Sequence, residues 1–253
     1  MQQFPVPRLG VNIDHIATLR QLRNTPYPSV IEAALICERS GADQITAHLR
    51  EDRRHIQDDD IVQLKRKLNV PLNLEMGAAP EMLKFALKIR PEWVCIVPEK
   101  RNEVTTEGGL ALKKNFKRIA DLTTKLQKKK IKVSLFVEPS QEAMKLSAKM
   151  GAEAVELHTG SFCLADQMGK KSKSISELKR IREAALLAKK LGLHAHAGHG
   201  FDYLNVRRVS ELLDLNHNPL IEEYNIGHAI ICRAAIVGME QAVREMVSAI
   251  QAP

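Results

Sequence analysis

An imidazole and a guanidinium, His48 and Arg50, stand two residues apart at the end of a short β-prone run. Side chains alternate with period two along extended chain, so the pair shares one face. Packing gains little from such neighbours, whereas an anion or an enolate would be held by them. Asn73 and Glu75 repeat the spacing at the end of Pro71-Leu-Asn-Leu-Glu. A desolvated carboxyl there would have a raised pKa, suited to acid or base work near neutrality. Further groups with chemistry are Asn12, Asp14, His15, Glu99, Lys100, Arg101, Glu138, Glu156, His158, His199, Asn225, Gly227 and His228, with His55 following His48. Small residues flank His199 in His196-Ala-Gly-His-Gly200 and His228 in Asn225-Ile-Gly-His-Ala229, which lets a ligand come close to backbone. Each group also has a plainer reading: His48 as a core histidine, Glu75 as the partner of a structural arginine, and the glycines as turn formers only.

What must position these groups is a rhythm of eight rounds, each a short apolar β-rich run followed by a longer amphipathic segment. The strands are expected at 9–13, 44–48, 72–75, 93–97, 132–137, 154–158, 194–197 and 223–226. Helices are expected at 29–39, 58–67, 80–89, 110–128, 140–150, 174–191, 204–213 and 239–250, with a short one beginning near His228. Gly41, Gly151 and Gly192 read as helix stops. Such alternation implies parallel strands and right-handed crossovers, and eight rounds in 253 residues is the size of a single (β/α)₈ TIM barrel domain spanning 1–253. The polar groups above then converge on the C-terminal mouth, where barrel enzymes place their sites and often bind phosphate through the loops after strands 7 and 8. A doubly wound sheet is the alternative, but the turn after its first strand would carry glycines, and here it reads Asp14-His15-Ile16-Ala17.

Composition narrows the function. With 44% apolar and 27% charged residues the chain can build a core, and charges interrupt every apolar run well short of a membrane span. The N-terminus lacks a signal-peptide pattern, and Cys37, Cys95, Cys163 and Cys232 are too scattered for a disulfide framework or a zinc site, so the cytoplasm is expected. A net charge of +8 fits attraction of anionic metabolites better than nucleic-acid binding, because only 4% of residues are aromatic. The densest basic runs, 125–132 and 170–173, read as solvated helix ends or loops. His194 and His196 have ligand-like spacing but lie at the start of strand 7, away from the mouth. No H-E-x-x-H motif is present, Gly169-Lys170 is not part of a phosphate-binding loop, and only Lys100 comes near a position for a Schiff base. A metal-dependent barrel hydrolase or epimerase, and an RNA-binding protein using the positive charge, stay open at this stage.

Several stretches together resemble the pyridoxine 5′-phosphate synthase family of the deoxyxylulose-dependent vitamin B6 pathway. They are Gly10-Val-Asn-Ile-Asp-His-Ile-Ala-Thr-Leu-Arg20, His48-Leu-Arg-Glu-Asp-Arg-Arg-His55, Asn73-Leu-Glu-Met76, Val97-Pro-Glu-Lys-Arg101, Glu103-Val-Thr-Thr-Glu-Gly-Gly109, Ala197-Gly-His-Gly200 and Asn225-Ile-Gly-His-Ala229. The resemblance implies a (β/α)₈ barrel assembled as an octamer, a tetramer of dimers, with neither metal nor organic cofactor. The implied reaction condenses 3-amino-2-oxopropyl phosphate with 1-deoxy-D-xylulose 5-phosphate to pyridoxine 5′-phosphate, phosphate and water. Carried onto this chain, it makes His48 and Glu75 proton acceptors and His199 the proton donor. It assigns Asp14, His15, Arg50, His55 and Thr105 to the deoxyxylulose phosphate, and Asn12, Arg23, Gly200, Gly227 and His228 to the aminoketone phosphate. The chain departs from the family pattern at Cys232, where glycine is expected, and in a basic loop at 160–174. The connection 214–220 is expected on the face opposite the mouth.

Overall fold

The computed structural model describes residues 6–100, 103, 105 and 108–251. Eight parallel strands close into one barrel in chain order, the last pairing with the first. Strands β1 (Arg8–Asn12), β2 (Gln44–His48), β3 (Leu72–Met76), β4 (Trp93–Ile96), β5 (Lys132–Val137), β6 (Ala154–His158), β7 (His194–Gly198) and β8 (Glu223–Ile226) fall within a residue or two of the expected positions. The β1–β2 connection carries two helices, α1 (Asp14–Arg23) and α2 (Val30–Arg39). Then come α3 (Asp58–Lys67), α4 (Pro80–Ile89), α5 (Leu112–Gln127), α6 (Gln141–Lys149), α7 (Gly160–Gln167), α8 (Lys171–Lys190), α9 (Val206–Ser210), α10 (His228–Val237) and α11 (Met239–Gln251). No helix among the described residues is long and apolar enough to cross a membrane.

Local chemistry sets the helix ends. Ser29 and Ser140 accept from the amides of Glu32 and Ala143, Pro80 opens α4, and the three stop glycines all have positive φ. Three expectations need correction. The basic segment 160–174 is not a loop: α7 buries Phe162, Cys163 and Ala165, and α8 starts at Lys171 with Ser174 buried. Helix α1 continues straight out of β1, and its Leu19 and Leu22 stay exposed, so no apolar period marked it. Helix α9 is shorter than 204–213, because Asp202 takes the amides of Leu204 and Asn205 in a turn that delays its start. The 214–220 connection makes a Leu213–Pro219 bridge and leads into β8, which puts it at the N-terminal end of the barrel as expected.

Barrel interiors are usually filled by branched apolar side chains. Here the fill is polar. Hydrogen bonds join strands that are not neighbours, so these side chains point inward: Gln44 of β2 to Glu223 of β8 at 2.8 Å, Thr46 to Asn225 at 2.8 Å, and Asn225 of β8 to Glu156 of β6 at 2.9 Å. Gly10 and Gly198 leave the room for them; a Cβ would stand 2.1 Å from Asn225 Oδ1 at Gly10 and 2.2 Å from Glu156 Oε1 at Gly198. Most apolar residues of the strands face outward, where they join the helices in one continuous core, while Trp93 and Phe136 pack against His196 and His158.

Candidate active site

The mouth begins where β1 runs into α1. Asn12 and Asp14 lock each other, Asn12 Nδ2 donating to Asp14 Oδ2 and the Asp14 amide to Asn12 Oδ1, both at 3.0 Å. The other Asp14 oxygen accepts the His48 amide at 2.8 Å. A side chain at the end of one strand thus fixes the backbone of the next. The His48 ring lies between two carboxyls, its Nδ1 4.0 Å from Glu75 Oε2 and its Nε2 3.4 Å from Glu99 Oε1. Asp14, His48 and Glu75 each offer a ligand atom within 4.8 Å of the others.

Burial, reinforced by the neighbouring charges of Glu156 and Asp14, raises the Glu75 carboxyl well above the usual carboxylate range, although 13% of its side chain still meets solvent. Burial and Glu223 push Glu156 below it up to about 8. Glu156 is thus an acid that holds its proton at neutral pH, and burial shifts Glu75 in the same direction. That matters for the metal question. A divalent ion needs ionised oxygens, whereas burial favours the protonated form of Glu75 and each Asp14 oxygen already accepts a hydrogen bond, an arrangement that suits proton transfer. His194 and His196 form no joint ligand set either: His194 is exposed and faces Glu222 at 2.8 Å, while His196 is buried and faces Glu223 at 3.4 Å.

The opposite rim is built by β5, β6 and β7. His158 Nδ1 lies 3.1 Å from Glu138 Oε1, and its ring packs 4.9 Å from that of His199. His199 has φ of 73°, an uncommon backbone for a residue with a side chain and a kind of strain that gathers at functional sites. Its ring edge reaches solvent, but partial burial and the adjacent His158 both push its pKa down. Gly200, with φ of 94°, packs against Cys163 and Gly160 of α7. Thr105 bonds Gly109 and Gly108, and Gly108 lies against His158, so Thr105 belongs to this rim.

Across the closing seam, Gly227 comes so near Asn12 that a Cβ would stand 2.9 Å from its carbonyl oxygen. The rings of His15 and His228 meet at 5.0 Å, with His228 opening α10. Cys232, one turn further, is exposed, with its sulfur 3.5 Å from His228 Nε2. The His55 ring lies 6.1 Å from that of His48. Arg50 Nε is buried without a hydrogen-bond partner, 3.6 Å from Asp52. Arg23 is the outlier: it sits exposed at the end of α1 and, among the described residues, bonds none of the other candidates. Arg101, with 102, 104, 106 and 107 of the motifs after β4, lies outside the described residues.

Sequence reasoning noted Glu99, Glu138, Glu156 and His158 as polar strand ends without singling them out. Glu99 was findable only as part of Val97-Pro-Glu, because its reach to His48 spans 51 residues.

The family model described as "Pyridoxal phosphate biosynthesis protein PdxJ" matches residues 9–252. The chain is 48% identical over 241 residues to the pyridoxine 5′-phosphate synthase of Bdellovibrio bacteriovorus, covering 94% of this chain and 96% of the relative. It is 49% identical over 244 residues to that of Geobacter metallireducens, covering 96% and 98%. Among solved structures it is similar in fold to KGPDC from Streptococcus mutans, with a TM-score of 0.66, 9% identity and 97% of each chain covered. Matches of this extent and identity settle the kinship: the chain belongs to the pyridoxine 5′-phosphate synthase (PdxJ) family of enzymes.

Proposed function

We propose that the chain, acting as one barrel domain over 1–253, condenses 3-amino-2-oxopropyl phosphate with 1-deoxy-D-xylulose 5-phosphate to give pyridoxine 5′-phosphate, phosphate and water. The observation that supports this most is the clustering of Asp14, His48 and Glu75 within 4.8 Å, with burial raising the Glu75 pKa and His199 on the facing rim. An amine must add to a carbonyl, a phosphate must leave, and a ring must close with loss of water. Each step moves a proton, so groups that titrate near neutrality are needed on both sides of the substrates.

In this reading His48 and Glu75 accept protons, Glu75 in its ionised form, and His199 donates. Asp14, His15, Arg50, His55 and Thr105 hold the deoxyxylulose phosphate; Asn12, Arg23, Gly200, Gly227 and His228 hold the aminoketone phosphate. Arg50 Nε is buried and makes no hydrogen bond, with Asp52 at ion-pair distance, and a phosphate oxygen would satisfy it. The α10 N-terminus at Gly227 and His228 offers amides and a favourable dipole to the second phosphate. Acid–base groups and fixed donors suffice for every step, without metal or organic cofactor. The enzyme works in the cytoplasm on small phosphorylated substrates, with no nucleic-acid or membrane partner. It self-associates as a homo-octamer, and the exposed Leu19, Leu22 and Tyr27 near α1 offer apolar surface for subunit contact.

The test is to mix both phosphorylated ketones with the protein and follow pyridoxine 5′-phosphate and phosphate together. Equimolar products are expected. Folded protein that yields neither from fresh substrates would refute the reading.

A further inference from the structure

Glu99 follows β4, on the same rim as His48 and Glu75, and its carboxylate is almost wholly enclosed, with 4% of the side chain exposed. It accepts the amide of Glu51 at 2.9 Å and that of Gly77 at 3.1 Å, and its Oε1 faces His48 Nε2 at 3.4 Å. We propose that Glu99 is a positioning residue that keeps His48 in its Nε2–H tautomer, so that Nδ1 is the nitrogen presented to the reacting groups. The proposal rests on the assignment of His48 as a proton acceptor and says which of its atoms accepts.

The argument is one of hydrogen-bond inventory. An ionised carboxylate only accepts, and a neutral imidazole carries one N–H and one lone pair. Burial alone would raise the Glu99 pKa, but the hydrogen bonds from His48 and from the Glu51 amide outweigh it and hold the carboxyl below its ordinary value. The atom facing it must then be N–H, which leaves the lone pair at Nδ1. That nitrogen faces Glu75 at 4.0 Å, and burial favours the protonated form of this carboxyl, which would be a donor suited to a lone pair.

The surroundings hold Glu99 for this task. A Cβ at Gly77 would lie 3.2 Å from Glu99 Oε1 and 3.1 Å from Glu51 Oε1, so only a bare backbone admits the carboxylate comfortably. Glu103, itself paired with Arg118, accepts the amides of Glu99 and Lys100 and pins the segment from the other side. Asp14 fixes the His48 backbone, Glu99 fixes the ring, and a nucleophile-activating histidine in a hydrolase triad is oriented by a buried carboxylate in the same manner.

Glu99→Gln inverts the bonding. With its oxygen on the Glu51 amide, its NH₂ takes the place of Oε1, which had served both His48 and the Gly77 amide, so the Gly77 N–H loses its acceptor and the ring must answer with a lone pair at Nε2 and a hydrogen on Nδ1. We expect kcat to fall about 10³- to 10⁴-fold, as when the triad carboxylate becomes an amide. KM for both phosphorylated ketones should stay within about threefold. Magic-angle-spinning ¹⁵N spectra of the assembled protein, labelled at the histidine ring nitrogens in mildly alkaline buffer, report the tautomer directly. The His48 signals are assigned by their loss in His48→Gln. Nε2–H in the parent and in Glu99→Asp, with Nδ1–H in Glu99→Gln, is the expected pattern. Nδ1–H in the parent, or Glu99→Gln turning over within about threefold of the parent, would overturn the role of Glu99. Full turnover by His48→Gln would instead overturn the assignment of His48 and leave the tautomer measurement standing.

Discussion

His48 shows how much a single residue's chemistry depends on what touches it: its backbone bonds Asp14, one ring nitrogen faces Glu75 and the other Glu99. Arg50 and His199 invite tests at the same scale. Arg50→Lys keeps the charge but loses the fork that grips two phosphate oxygens. We expect rapid-quench measurements to show phosphate release slowed on the order of 10²-fold, with KM for the aminoketone phosphate little changed. Equal effects on both would remove Arg50 from the leaving phosphate. His199 is pushed down by burial and by His158, so His158→Gln should let its pKa rise toward the ordinary value. If His199 donates, the alkaline limb of the kcat–pH profile moves to higher pH in that variant. A limb that does not move would mean that another group is the donor.

Element by element, the path from sequence to site depends on distance. The strands were legible because their apolar runs are short, β-rich and bounded by turn residues, and with them came the barrel and the mouth at which His48, Glu75, His158 and His228 collect. Helices α1 and α7 were not: α1 leaves Leu19 and Leu22 exposed, and α7 opens with Gly160-Ser161, which reads as loop. Nor could spacing reveal contacts such as that of Arg20 on α1 with Asp60 on α3. Arg20 grips both Asp60 oxygens at 2.7 Å and also donates to the His55 carbonyl, while Asp60 accepts the Gln57 amide. This clamp ties the helix that carries Asp14 and His15 to the loop that carries His55. Arg20→Ala leaves a buried carboxylate without its partner, which should cost about 3 kcal/mol in a denaturant melt. It should also raise KM for the deoxyxylulose phosphate by loosening His55. An unchanged midpoint would show the clamp to be idle.

For the whole molecule, the polar interior sets how stability varies with pH. Glu156 is raised by burial and Glu223 to about 8, from an ordinary value of 4.5. The folded barrel therefore keeps a proton that the unfolded chain releases above about pH 4.5, so this group's contribution is complete below that pH and is lost as pH rises toward 8. Glu156→Gln carries no such proton. Its stability relative to the parent should grow by on the order of 3 kcal/mol between about pH 5 and pH 8 in urea melts. A difference independent of pH would mean that Glu156 ionises normally inside the barrel. The seam between β8 and β1 has a different consequence. Gly227 rests on Asn12, and His228 on His15, so this part of the mouth joins the first strand of the barrel to the last. A ribosome makes β1 before every other strand of the barrel and β8 after them. The growing polypeptide cannot close this part of the mouth, where we place the aminoketone phosphate, until β8 has been made, and a product truncated before residue 225 would keep the His48 rim in its sequence while lacking the β8 side of that seam.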